Sequence, residues 1–107
     1  MKWSVEILNE AVLAELEALP SELRARLTRI VELIEDFGLE QLREPYVKHL
    51  QGKLWEIRVK GRDGIARAIY VTAHQRRVVI VLVFQKKTRK TPRSVLKLAQ
   101  RRAREVT

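Results

Sequence analysis

Glu56 and Arg58 stand two residues apart in an alternating segment, so both project to one face if that segment is a strand. Arg67 lies in the next such segment, sharing its face with Ile65 and Ile69, where a charged side chain must be paired or functional. Lys86 and Lys87 follow a long apolar run, at the exit of a strand into a loop, where rigid scaffolds tend to carry functional residues. Glu56 is the only carboxylate among these cations. Such a set suits anionic substrates. Arginine offers a planar fork matched to phosphate. A lysine crowded by other cations has a lowered pKa and becomes a proton carrier.

A second basic feature follows the first. From Lys86 to Arg104 the chain holds Lys86, Lys87, Arg89, Lys90, Arg93, Lys97, Arg101, Arg102 and Arg104, with no acid. Arg93, Lys97, Arg101 and Arg104 fall at i, i+4, i+8 and i+11, one stripe along a helix. Like charges at this spacing weaken a helix, so the stripe points to a polyanion partner. The whole chain divides the same way. Residues 1–44 carry five bases and ten acids, net −5, and residues 45–107 carry seventeen bases and three acids, net +14, which sum to the chain's +9. The basic half is built to attract polyanions.

The elements that must position these residues are legible from patterning. The 107 residues suit one domain, 1–107, able to bury a core without disulfides or metal. With no cysteine, disulfide frameworks, zinc ribbons and thiol catalysis are excluded, and two histidines without clustered carboxylates argue against a built-in metal site. No apolar run is long enough to span a membrane, and the N-terminus lacks a secretory h-region. Residues 2–8 alternate as a strand, with Asn9 as the cap of a short helix reaching about Ala18. After Pro20, apolar residues recur at Leu23, Leu27, Ile30, Val31, Ile34 and Phe37 until Gly38, which predicts a longer helix antiparallel to the first. Residues from about 39 to 52 read as irregular, with Pro45 and Gly52 as breakers. Three strands then follow at 53–60, 65–72 and 77–84, joined by tight turns. A last helix begins near Pro92, with Thr91 as a candidate N-cap. Trp3 and Trp55 fall on apolar strand faces as core residues, and Tyr70 belongs to the core or its rim. His49 and His74 fall in loops and carry no assigned chemistry. The order is βααβββα. It predicts an α+β domain: an antiparallel meander, the first strand at one edge, and the two-helix hairpin on one face.

Three phrases in this order resemble the RelE/HigB superfamily of bacterial toxins, nearest its HigB-like, phage-related branch. They are Leu54-Trp55-Glu56-Ile57-Arg58, Gly64-Ile65-Ala66-Arg67-Ala68-Ile69-Tyr70 and Phe84-Gln85-Lys86-Lys87-Thr88-Arg89-Lys90-Thr91-Pro92. The likeness covers essentially the whole chain. It implies the RelE/ParE-like fold and a type II toxin–antitoxin toxin in the cytoplasm, neutralised by a cognate antitoxin through which alone it would reach operator DNA. It also implies a metal-independent, ribosome-dependent mRNA endoribonuclease without cofactor. The RNA's own 2′-hydroxyl would attack the adjacent phosphate, and the protein would supply a base, an acid and cations. By resemblance, Arg58, Arg67 and a basic residue at the strand exit, Lys87 ahead of Lys86, belong to that centre, with Glu56 as a general base or as the group orienting Arg58. Some relatives have a lysine where Glu56 stands, and a tyrosine or histidine near the last helix. Here Thr88, Thr91 and Arg93 occupy that region, which leaves the acid–base pair open. Arg89, Lys90, Arg93, Lys97, Arg101 and Arg104 would contact mRNA or ribosomal RNA. Two other readings fit the same fold: a ParE-like inhibitor of DNA gyrase, and a basic nucleic-acid-binding protein without catalysis.

Overall fold

The computed structural model describes residues 2–42, 46–86 and 90–107. The chain opens with strand β1, Ser4–Ile7, and helix α1, Glu10–Glu17. Asn9 caps α1, its side chain accepting from the Val12 amide at 3.1 Å, and Glu10 sits in the first turn where the dipole favours an anion. Helix α2, Ser21–Phe37, buries Leu23, Leu27, Ile30 and Ile34, the stripe its 3.6-residue period requires. Pro20 stands just outside the helix as its N-cap. Gly38 ends it at φ 94°, a conformation that glycine adopts without steric cost.

Four further strands follow: β2 Val47–Gln51, β3 Leu54–Gly61, β4 Gly64–Ala73 and β5 Arg77–Lys86. Helix α3, Arg93–Ala103, completes the order. The sheet runs β1-β5-β4-β3-β2, with β1 parallel to β5 and the other pairs antiparallel. The expected α+β domain, meander and edge-lying first strand are present. The segment read as irregular, however, contains a 3-10 turn at Leu39–Gln41 and the edge strand β2. The five residues of β2 are too few to declare a period, and the strand exists through its pairing with β3. His49 therefore lies on a strand rather than in a loop.

Both faces of the sheet are covered. Helices α1 and α2 pack on Ile57, Val59, Ala66, Ala68, Tyr70, Val78, Ile80 and Val83. Helix α3 packs with Ala99, Val95 and Leu96 against Leu54, Ile69, Val71, Val79, Val81 and Leu82 on the other face. A bulge at the Ile69/Tyr70 register lets Val81 and Leu82 both serve the α3 side. The β-branched run is buried from Val78 to Val83, as a doubly covered strand demands. Tyr70 is a core residue at 1% exposure, and burial pushes its pKa up to about 12. Trp3 packs partly against the core and donates its indole N–H to Glu40 at 2.6 Å. Trp55 departs from expectation. The helix cover reaches its β4 neighbour Tyr70 but leaves Trp55 40% exposed, with His49 beside it at 4.9 Å between ring centroids.

Strand β1 covers β5 only to Ile80. Beyond it, side chains from two helices take the place of a neighbouring strand. Glu15 of α1 accepts from the Val83 amide at 3.0 Å, and Arg102 of α3 donates to the Val81 carbonyl at 3.0 Å. The two also pair with each other at 2.8 Å, closing the open edge of β5.

Candidate active site

On the α3 face, beyond the N-terminal end of that helix, the sheet presents charge instead of apolar side chains. The strand period sends Leu54, Glu56 and Arg58 of β3 to this face, together with Arg67 of β4 and Lys86 of β5. Arg58 and Arg67 are direct cross-strand partners, as are Ile65 and Lys86. Residues 28 positions apart in sequence thus meet because antiparallel pairing folds β3 and β5 onto either side of β4.

Glu56 is the hub. Its carboxylate has no exposed surface, and its Oε1 accepts from Arg67 Nη1 at 2.6 Å. Arg58 Nε lies 3.9 Å from the same oxygen, with a third of its side chain exposed. Arg67 is 5% exposed, and its Nη1 also donates to Thr91 Oγ1 at 3.4 Å, tying the approach to α3 onto β4. Thr91 therefore serves Arg67; the N-cap position of α3 is Pro92. Among the described residues, Glu56 Oε2 and Arg67 Nε are buried without a partner. The site therefore holds one unfilled acceptor and one unfilled donor at its centre.

Lys86 is nearly buried, at 9% exposure. Its pKa is held below the ordinary lysine value of 10.5, first by desolvation and then by the charges of Arg67, Arg58 and Lys48, against the opposing pull of Glu56. Lys48 is a residue that sequence reasoning missed. It sits on β2 directly opposite Glu56, exposed, and among the described residues it makes no ion pair. Only the pairing of β2 reveals it, since nothing in the local sequence marks that strand. Among the described residues, one carboxylate is thus neighboured by four basic side chains drawn from four adjacent strands.

Of the residues singled out from sequence, Glu56, Arg58, Arg67 and Lys86 come together. Lys87 and Arg89 lie outside the described residues. Lys90 is exposed just before α3. Arg93, Lys97, Arg101 and Arg104 are all exposed on α3 or at its C-cap, so the stripe faces solvent, while Arg102 turns to Glu15. Among the described residues no group of three or more His, Asp or Glu could hold a metal ion. Among the described residues no helix is long and apolar enough to cross a membrane.

The family profile of the phage derived protein Gp49-like matches residues 14–104. No curated protein sequence matches the chain. Among solved structures, the chain is similar to an arginine-to-alanine mutant of E. coli toxin RelE in the free state. That match has 20% identity and TM-score 0.65, covering 95% of this chain and 98% of the other. It is also similar to the archaeal RelE–RelB complex from Pyrococcus horikoshii, with 23% identity, TM-score 0.60 and coverage of 79% and 96%. The toxin–antitoxin complex RelBE2 from Mycobacterium tuberculosis gives 17% identity, TM-score 0.56 and coverage of 80% and 93%.

Proposed function

The chain belongs to the phage-derived Gp49-like family and carries the RelE fold, and from that premise we propose that it is the toxin of a type II toxin–antitoxin pair. In this reading it is a metal-independent, ribosome-dependent mRNA endoribonuclease of the cytoplasm. Its partners are a cognate antitoxin, mRNA and the ribosome. The antitoxin finds support in the RelE–RelB and RelBE2 complexes, whose toxin chains share this fold.

The observation that carries the reading is the Glu56-centred cation cluster containing a lysine of lowered pKa. Neutral Lys86 accepts the proton of a 2′-hydroxyl. The 2′-oxygen then bonds to the adjacent phosphorus, the P–O5′ bond breaks, and the 5′-oxygen takes a proton from water, whose hydroxide recovers the proton held by Lys86. The products are a 2′,3′-cyclic phosphate and a 5′-hydroxyl. Arg58, the exposed arginine, contacts the non-bridging oxygens as charge builds on them. Arg67 adds positive potential from below and is itself held by Glu56. Fully buried and engaged with Arg67, Glu56 acts as a positioning residue for both arginines. Lys87 and Arg89, which follow Lys86 in sequence, add two further cations for the RNA backbone, and Lys90 with the α3 stripe of Arg93, Lys97, Arg101 and Arg104 binds ribosomal RNA phosphates.

The test is a map of mRNA 5′ ends after brief induction, with and without translation. Discrete new ends on translated messages alone support the reading. Intact transcripts sink it, and intact transcripts with gyrase-dependent DNA breaks would point to a ParE-like action instead.

A further inference from the structure

Beside the cation cluster, at the outer edge of β3, lies a cavity of about 160 Å³ lined by Tyr46, Arg58, Val59, Lys60 and Ile65. It opens where β2 stops. Val47 is the first β2 residue paired to β3, opposite Ile57, and one position earlier the Arg58 amide donates to the Tyr46 carbonyl at 2.8 Å. That bond fixes the backbone of Tyr46 beside Arg58, while the residue remains 51% exposed. The cross-strand pair Lys60 and Ile65 also lines it, an aliphatic stem and an apolar side chain.

We infer that this cavity is a subsite for the nucleobase of a nucleotide adjoining the scissile phosphate, an inference that rests on the endoribonuclease reading above. Three observations converge on an RNA base. First, a half-exposed aromatic residue lines the same cavity as aliphatic side chains, the kind of environment in which unstacked bases are held in single-stranded RNA. Second, the volume is well below the roughly 300 Å³ of pockets for larger ligands, which suits one flat ring system. Third, the cavity shares Arg58 with the cluster, so a base stacked on Tyr46 leaves its own phosphate at the guanidinium that faces the reaction. Lys60 at the rim supplies a second cation for the backbone. Tyr70, the tyrosine of the central strand, is enclosed in the core and has no part in this.

The experiment compares wild type with Tyr46→Ala, Tyr46→Phe and Tyr46→Trp on ribosome-bound messages that differ only in the nucleotides flanking the cut. Both cleavage rate and the distribution of 5′ ends are read, with a thermal melt to confirm folding. Tyr46→Ala is expected to lose about ten-fold in kcat/KM and to flatten the preference among flanking nucleotides, whereas Phe and Trp restore both. Tyr46→Ala with the wild-type rate and cut distribution overturns the subsite. So does Tyr46→Phe behaving like Tyr46→Ala, since stacking needs the ring and not the hydroxyl. If the wild-type protein cuts no message, the endoribonuclease reading itself has failed. If wild type cuts and Tyr46→Ala is unchanged, only the subsite has.

Discussion

Arg67 and Glu56 form a buried ion pair across β3 and β4, Nη1 to Oε1 at 2.6 Å, with almost no surface of either side chain in water. Removing two charges from water is expensive, and a pair of apolar side chains of equal volume often serves stability as well or better. The pair is therefore best understood by what it fixes: the carboxylate holds Arg67 rigidly and sets Arg58 3.9 Å away. Glu56→Gln leaves Arg67 charged and buried and is expected to destabilise the fold by about 3 kcal/mol. The double variant Glu56→Leu/Arg67→Met is expected to regain that stability in urea melts while showing no RNA cleavage. Recovery of cleavage in the double variant would remove this pair from the mechanism.

Lys86 sets stability against function. Its folded-state pKa is lowered, so between that value and the ordinary 10.5 the unfolded chain binds more protons, and stability rises with pH through this window. Lys86→Met removes a buried cation without losing packing. It is expected to raise stability at neutral pH by about 1 kcal/mol and to flatten the pH dependence, while abolishing cleavage. In the wild type, cleavage should rise with pH and level off below the usual lysine range, because the proposed base is the neutral amine. A pH–rate profile together with thermal melts of both proteins checks each part.

Lys48 lies outside the ion-paired hub and is the weakest of the charges acting on Lys86, so it should act mainly on substrate. Lys48→Ala is expected to raise KM several-fold with little change in kcat or melting temperature, and to lessen the salt dependence of binding by about one phosphate contact. Lys53→Ala in the β2–β3 turn, equal in charge but away from Glu56, serves as the control and should leave KM unchanged. Matched effects from the two variants would reduce Lys48 to a contributor of net charge.

The Glu15–Arg102 pair closes the β5 edge where β1 ends. Arg102→Ala removes two charge-assisted contacts and is expected to cost about 2 kcal/mol, read as a lower melting temperature. It should also bring light scattering on mild heating, because an open edge pairs with other chains. A melt identical to wild type would mean the edge is protected by other means.

Particular residues show why sequence carried so far and then stopped. Leu23, Leu27, Ile30 and Ile34 announce α2 by their spacing, and the run from Val78 to Val83 announces a doubly covered strand. Glu56, Arg58, Arg67 and Lys86 could be gathered because strand alternation and tight turns constrain which faces meet. Strand β2 was hidden: five residues carry too little periodicity, and their partner lies across a turn. Lys48 and Tyr46 were hidden with it. Trp55 misled because an apolar side chain on a strand face says nothing of how far a helix extends over that face. The burial of Glu56 is likewise a product of packing, since its local sequence reads as an ordinary outward-facing acid between Trp55 and Ile57.

The proposed reaction is metal-free attack by a 2′-hydroxyl, with Lys86 as base and Arg58 at the phosphate. The most direct measurement is the end chemistry of message cleaved on programmed ribosomes by wild type, Lys86→Met and Arg58→Ala. Wild type should leave 5′-hydroxyl and 2′,3′-cyclic phosphate ends, and both folded variants should cleave at least about a hundred-fold more slowly. Ends bearing 5′-phosphate, or undiminished cleavage by Lys86→Met, would contradict it.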